Sequence, residues 1–150
     1  MKRVILLLVF AAASGYAWWL GGSQTSALAP KSPDEYGARS GDIGVAAAFE
    51  ARARSVEIYD SGAVAKLLRD DRDGEPHQRF IVRVGSGQTV LIAHNIDEAP
   101  RIDALREGDA VQFRGVYEWS ARGGVVHWTH DDPGGDHAEG WVRHEGRIYQ

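Results

Sequence analysis

Histidine chemistry dominates the C-terminal end of this chain. His127, His130, His137 and His144 fall within eighteen residues, beside Trp128 and Trp141. They begin in the run His127-Trp128-Thr129-His130-Asp131-Asp132-Pro133. Imidazole is the commonest neutral metal ligand and titrates near pH 7, so such density points to metal ligation or acid–base work. As a metal set the run offers His127, His130 and His137, with Asp131 or His94 completing it. Nitrogen and oxygen donors of that kind suit Zn²⁺ or another divalent transition ion. The H-x2-H-x6-H spacing matches no standard zinc signature, which leaves hydrogen bonding at strand ends as the alternative.

Strand geometry constrains the cluster. On a straight strand, residues three apart face opposite ways, so His127 and His130 share an ion only if the strand ends near Thr129. Asp131-Asp132-Pro133 favours such an ending, since Asp favours turns and proline restricts the residue before it. A second polar group comprises His77, His94, Asn95 and Asp97. Arg79 and Arg83, with Lys66, fall on polar faces, where paired guanidinium groups can hold an anion bidentately. His77, Arg79, Arg83, Asn95, Asp97, Glu118 and Trp141 are therefore the expected ligand-binding residues. Trp128 is expected in the core. Asp70, Asp71, Asp73 and Glu75 lack the twelve-residue calcium pattern with its late glutamate and read as a solvated loop.

These groups must be positioned by strands. Asp42 is a possible N-cap for a short helix over Ile43 to Ala53. From Ser55 the pattern turns to strands, with Val56 to Arg69 interrupted by a bulge or bend at Ser61-Gly62. Gln78, Phe80, Val82 and Val84 alternate with His77, Arg79, Ile81 and Arg83, the period of a half-buried strand. Gly85-Ser86-Gly87 turns this strand into Thr89 to Asn95, bringing His77 near His94. Pro100 to Arg106 reads as a short helix stopped at Gly108.

Ala110 to Trp119 and Val125 to His130 complete five strands. A four-residue turn at Ala121 to Gly124 pairs Trp119 with Val126, placing Trp128 and His130 on the core side and His127 outward beside Glu118. A turn one residue longer swaps the faces. Gly140-Trp141-Val142 and Ile148-Tyr149 suggest a terminal hairpin around Glu145-Gly146. Five strands with a long bent first one give the expected fold: mainly β, a five-stranded Greek-key barrel of the oligonucleotide/oligosaccharide-binding (OB) type. One or two short helices accompany it. If the third strand closes on the fifth, His94 approaches His127 or His130.

The N-terminus reads as targeting. Lys2 and Arg3 precede a stretch, Val4 to Leu20, without charge. A signal peptide or a short membrane anchor fits, at the lower limit for a hydrocarbon core of roughly 30 Å. Ala11-Ala12-Ala13 and Gly15-Tyr16-Ala17 offer cleavage patterns, while Trp18-Trp19 resembles the interfacial end of an uncleaved hydrophobic helix. The basic flank favours an outward C-terminal domain, hence a bacterial-envelope, periplasmic location, anchored or secreted. Residues 21 to 41, rich in Gly, Ser, Ala and Pro, read as a flexible tether before a domain over 42 to 150.

Composition narrows the function. The absence of cysteine excludes disulfides, thiolate zinc sites, catalytic thiols and lipid attachment through a cysteine. With Lys2 and Arg3 set aside, 15 basic residues face 21 acidic ones, a net charge of −6. That balance argues against non-specific nucleic-acid binding, which draws its affinity from phosphate neutralisation.

His77 to Gln150 resembles a bacterial family of small exported proteins with a domain of unknown function. The motifs are HQRFIV (His77 to Val82), AHNIDEAPRI (Ala93 to Ile102), GVYEW (Gly115 to Trp119), GGVVHWTHDDP (Gly123 to Pro133) and HAEGWVRHEGRIY (His137 to Tyr149). The resemblance supplies no activity and no catalytic residues. Val116 stands where the family motif carries an acidic residue. The expected function is a binding or accessory module for an unknown ligand or envelope protein, attached to the membrane through its N-terminal segment. The alternative is a histidine-ligated, metal-dependent hydrolase of nuclease or phosphoesterase type, with Asp131 or Glu118 as base.

Overall fold

The computed structural model describes residues 37–150. The hydrophobic N-terminal segment and most of the expected tether lie outside the described residues. Among these, no helix is long and apolar enough to cross a membrane. A short helix, α1 (Val45–Glu50), precedes seven strands: β1 (Arg54–Leu67), β2 (His77–Val84), β3 (Thr89–Asn95), β4 (Ala110–Glu118), β5 (Val125–His127), β6 (Trp141–His144) and β7 (Arg147–Tyr149).

Closure follows from the length of β1. Its first part pairs antiparallel with β4, from Arg54↔Glu118 to Ala63↔Ala110, and its second part pairs with β2, from Gly62↔Val84 to Leu67↔Phe80. β2 runs antiparallel to β3, β3 parallel to β5, and β5 antiparallel to β4, so the five strands close into a barrel. That cyclic order, β1-β2-β3-β5-β4, is the expected OB arrangement. Ile58, Phe80, Val82, Ile92, Phe113, Tyr117 and Val126 fill its interior and are completely buried. The alternation in β2 is the predicted one: Gln78, Phe80, Val82 and Val84 point inward.

Where β1 turns the corner, Gly62 lies against β2, and an added Cβ would sit 2.2 Å from the carbonyl oxygen of Arg83. The bulge itself lies three residues further on, at Ala65, between Val64↔Val82 and Lys66↔Ile81. Only hydrogen is small enough at the crossing, while the extra residue relieves the bend just past it.

Two local expectations are corrected. Asp42 is not the helix cap; that position is Gly44, and the first-turn N–H of Val45 donates to Asp60 Oδ2 at 2.8 Å. Asp42 instead receives a bidentate pair of hydrogen bonds from Arg114, at 2.7 and 2.8 Å. Pro100 to Arg106 forms turns rather than a helix. The Gln78 side chain explains this, donating to the Ile102 carbonyl at 3.0 Å and accepting from its N–H at 2.8 Å. The backbone groups a helix needs are already satisfied, and Ile102 and Leu105 are buried instead.

The terminal hairpin forms as read. β6 pairs with β7 and lies along β4 from Val111↔His144 to Arg114↔Trp141, while β5 takes Val116 to Glu118 of the same edge. Both edges of β4 are thereby paired, one with β1 and the other with β5 and β6, and Arg114 and Val116 are buried as well as Phe113 and Tyr117.

Candidate functional site

Two adjoining hollows of about 400 and 450 Å³ run over the outer face of β2, β3 and β5 and share Leu91 and Val125. Leu68, Ile81, Leu91, Ala93 and Val125 give the groove an apolar floor. The polar rim comes from His77 and Arg79 on β2, Glu118 at the end of β4, His127 on β5, and the flanking loops with Asp71, Ser120 and Arg122.

The rim is largely self-paired. Arg79 bridges to Asp71 at 3.2 Å and donates to the Arg69 carbonyl at 3.1 and 3.3 Å. Glu118 accepts the Ser55 N–H at 2.8 Å. His77 Nδ1 donates to the Glu75 carbonyl at 2.7 Å. His127 differs: its Nε2 is buried without a hydrogen-bond partner among the described residues. Burial lowers its pKa, against the nearby Glu118 carboxylate, so the neutral ring is favoured.

The β4–β5 ladder stops two residues earlier than the four-residue turn predicts, with Tyr117 opposite Val126 and Glu118 opposite Val125. A shift of two preserves the faces, so His127 points outward beside Glu118, as in the four-residue turn and not the turn one residue longer. Trp128 is a correction. By alternation its indole belongs in the core, yet the strand ends at His127 and Trp128 adopts φ of +52°, which turns the side chain out to 39 % exposure. The indole stacks on His137 (4.8 Å between centroids, 17° between planes) and leans on His127 at 5.1 Å. Gly140 holds this bend from beneath, since a Cβ there would come within 1.9 Å of the Trp128 carbonyl oxygen.

Past Trp128 the chain turns inward. Thr129 and His94 are completely buried and joined, His94 Nδ1 lying 2.7 Å from Thr129 Oγ1. His94 Nε2 lies 3.2 Å from the Pro100 carbonyl, which can only accept. Nε2 therefore carries the proton, and Nδ1 accepts from the threonine hydroxyl. Burial is the main cause of a His94 pKa lowered to about 4, with the charge of His130 adding to it. β3 does close on β5, and it brings His94 to this segment.

The expected metal set is not assembled: among the described residues no three His, Asp or Glu side chains form a group able to hold an ion. Both nitrogens of His94 are engaged, and the Trp128 indole contacts the rings of both His127 and His137. His130 and His137 meet edge to face at 4.8 Å, and their Nδ1 atoms donate to the carbonyls of Asp131 and Ala138, each at 2.8 Å.

Other expected ligand residues fall outside the groove. Trp141 is buried, beneath the Arg143 guanidinium at 5.6 Å. Asn95 donates to Glu75 at 3.2 Å and accepts from the Asp97 N–H at 2.9 Å, a turn-forming role for both residues. Arg83, four strand positions from Arg79, is exposed near the hairpin end, roughly 13 Å away along the strand. The two arginines form no common clamp. The acidic loop is held by arginine, with Asp70 paired to Arg101 at 3.1 Å.

A larger hollow, about 820 Å³, lies between β1, β4 and β6. Its polar groups pair mainly with one another: His144 with Asp109 at 2.8 Å and Arg143 with Gln112 at 3.1 Å. Asp109, like Thr129, was not singled out from the sequence, because nothing local marks an aspartate after a glycine as the partner of a histidine 35 positions on.

Fold and groove together define a small OB-type barrel extended by a C-terminal hairpin, with an apolar-floored outer groove. The chain belongs to the family described as "Protein of unknown function (DUF3465)", whose model matches residues 30–150. No curated protein and no solved structure matches it.

Proposed function

We propose that this domain is an exported binding module whose ligand lies along the outer β2–β3–β5 groove, between the β1–β2 and β4–β5 loops. The observation that carries the reading is the orphaned His127 Nε2 beside a half-buried apolar floor of Leu91, Ala93 and Val125. A buried polar atom without a partner costs free energy that a ligand hydrogen bond recovers. The position also suits the fold, whose ligands commonly use this face and these loops. Metal-dependent hydrolysis, the alternative, needs ligands converging on one ion and gains no support from the histidine geometry.

The test is a ¹⁵N-correlation titration of the full-length chain in detergent with a short glycan, an oligonucleotide and an extended peptide. Amide shifts centred on His77, Leu91, Val125 and His127, weakened in His127→Ala, are expected for one of them. Shifts confined to the Asp109–His144 hollow, or none with any probe, overturn the proposal. Export is supported by the charge and hydropathy of residues 1–20. Alkaline phosphatase fused after Gln150 is expected to be active, and an inactive but stable fusion contradicts export.

A further inference from the structure

Trp128 combines three features that ordinary packing does not call for. It is one of the largest side chains, it is 39 % exposed, and its backbone sits at φ +52°, where a bulky residue is strained. Strain of this kind persists only where the surroundings impose it, and it gathers at functional sites. Here Thr129 locked to His94 on one side and Gly140 against the Trp128 carbonyl on the other impose it. The result is an indole held at the surface, backed by the parallel ring of His137.

The surroundings specify the ligand chemistry. In their neutral forms His130 and His137, each donating from Nδ1 to a backbone carbonyl, present Nε2 as a lone pair. The ring of His127 leans on the same indole. An apolar ring face is thus bordered by hydrogen-bond acceptors, and of the two groove arginines the one sharing a hollow with His127, Arg79, is neutralised by Asp71, while Arg122 lines the further hollow. A nucleic acid needs cationic compensation for its phosphates, and the chain carries net charge −4. A sugar ring meets the arrangement on both counts, with apolar C–H groups for the indole face and hydroxyl donors for the imidazoles.

We infer that Trp128 is a stacking platform for a saccharide ring and that the groove beginning at His127 takes the rest of a short glycan. This rests on the binding-module reading, since His127 belongs to both the groove and the platform.

The experiment titrates the full-length protein in detergent with chitotetraose and separately with a ten-residue oligothymidylate. The Trp128 indole N–H resonance, identified by its loss in Trp128→Phe, is followed alongside the groove amides. Trp128→Gly, which suits the positive φ, is expected to keep the thermal midpoint at or above wild type while weakening chitotetraose binding by about tenfold or more. Trp128→Phe is expected to retain part of the affinity. Affinity unchanged in Trp128→Gly, with groove amides still shifting, sinks the platform and leaves the groove standing. Trp128-dependent binding without groove shifts does the reverse. No binding of chitotetraose, or Trp128-dependent binding of the oligonucleotide instead, overturns the saccharide assignment.

Discussion

His94 shows how one buried residue sets a pH limit for the whole domain. Its folded pKa, about 4, lies below the ordinary value of 6.5, because burial disfavours the charged ring and outweighs the Pro100 and Thr129 hydrogen bonds, which raise it. Unfolded chains therefore take up a proton that native chains refuse, and stability present above pH 6.5 is lost as pH falls towards 4. The loss attributable to this residue is about 3 kcal/mol. Urea unfolding at stepped pH is the check: His94→Gln is expected to be less stable at pH 7 but to flatten the slope between pH 6.5 and 4 by nearly one proton. An unchanged slope in that variant contradicts the assignment.

At the scale of elements, two polar clamps replace regular capping. Arg114 and Asp42 are 3 % and 5 % exposed, so their pairing ties the segment before α1 to β4 with little solvent screening. Glu57, the second partner at 3.2 Å, is 48 % exposed and contributes less. Asp42→Ala strands a buried guanidinium and is expected to cost about 3–5 kcal/mol, while the double change Asp42→Leu/Arg114→Met recovers most of it. Denaturant titrations of the three chains decide this, and additive losses in the double variant count against it. The second clamp is Gln78 on Ile102. Gln78→Leu leaves a buried N–H and C=O unpaired, with an expected loss of about 2 kcal/mol or more. Faster amide exchange at Ile102 is the accompanying signature; protection unchanged from wild type refutes the clamp.

For the molecule as a whole, the β6–β7 hairpin is part of the domain rather than an appendage. It covers the Val111 to Arg114 edge of β4 and brings Trp141, Val142 and Tyr149 into buried positions. An edge left open exposes both unpaired backbone groups and apolar surface. A chain ending at Glu139 is expected to lose its cooperative thermal transition, measured by calorimetry. A sharp transition at the wild-type temperature shows instead that the five-stranded barrel suffices.

The sequence by itself determined the strands, the β2–β3 hairpin and its centre, the terminal hairpin and the order that closes the barrel. Alternation with period two and glycine-bearing turns are local signals, and they survive without knowledge of the neighbours. Two hairpin registers leave open which way His127 faces, and the Tyr117↔Val126 pairing decides for outward, beside Glu118. Only the tertiary structure decided which polar groups are consumed. Gln78 removed the helix expected at Pro100, Thr129 and Pro100 took both nitrogens of His94, and Asp71 took Arg79. Each partner is distant in sequence or hidden in a loop, so no spacing rule announces it. Trp128 is the sharpest case: alternation sends it inward, and a single left-handed residue, fixed by contacts with Gly140 and the buried Thr129, turns it to the surface. Backbone conformation at one position is set by what packs around it, and that information is spread across the folded chain.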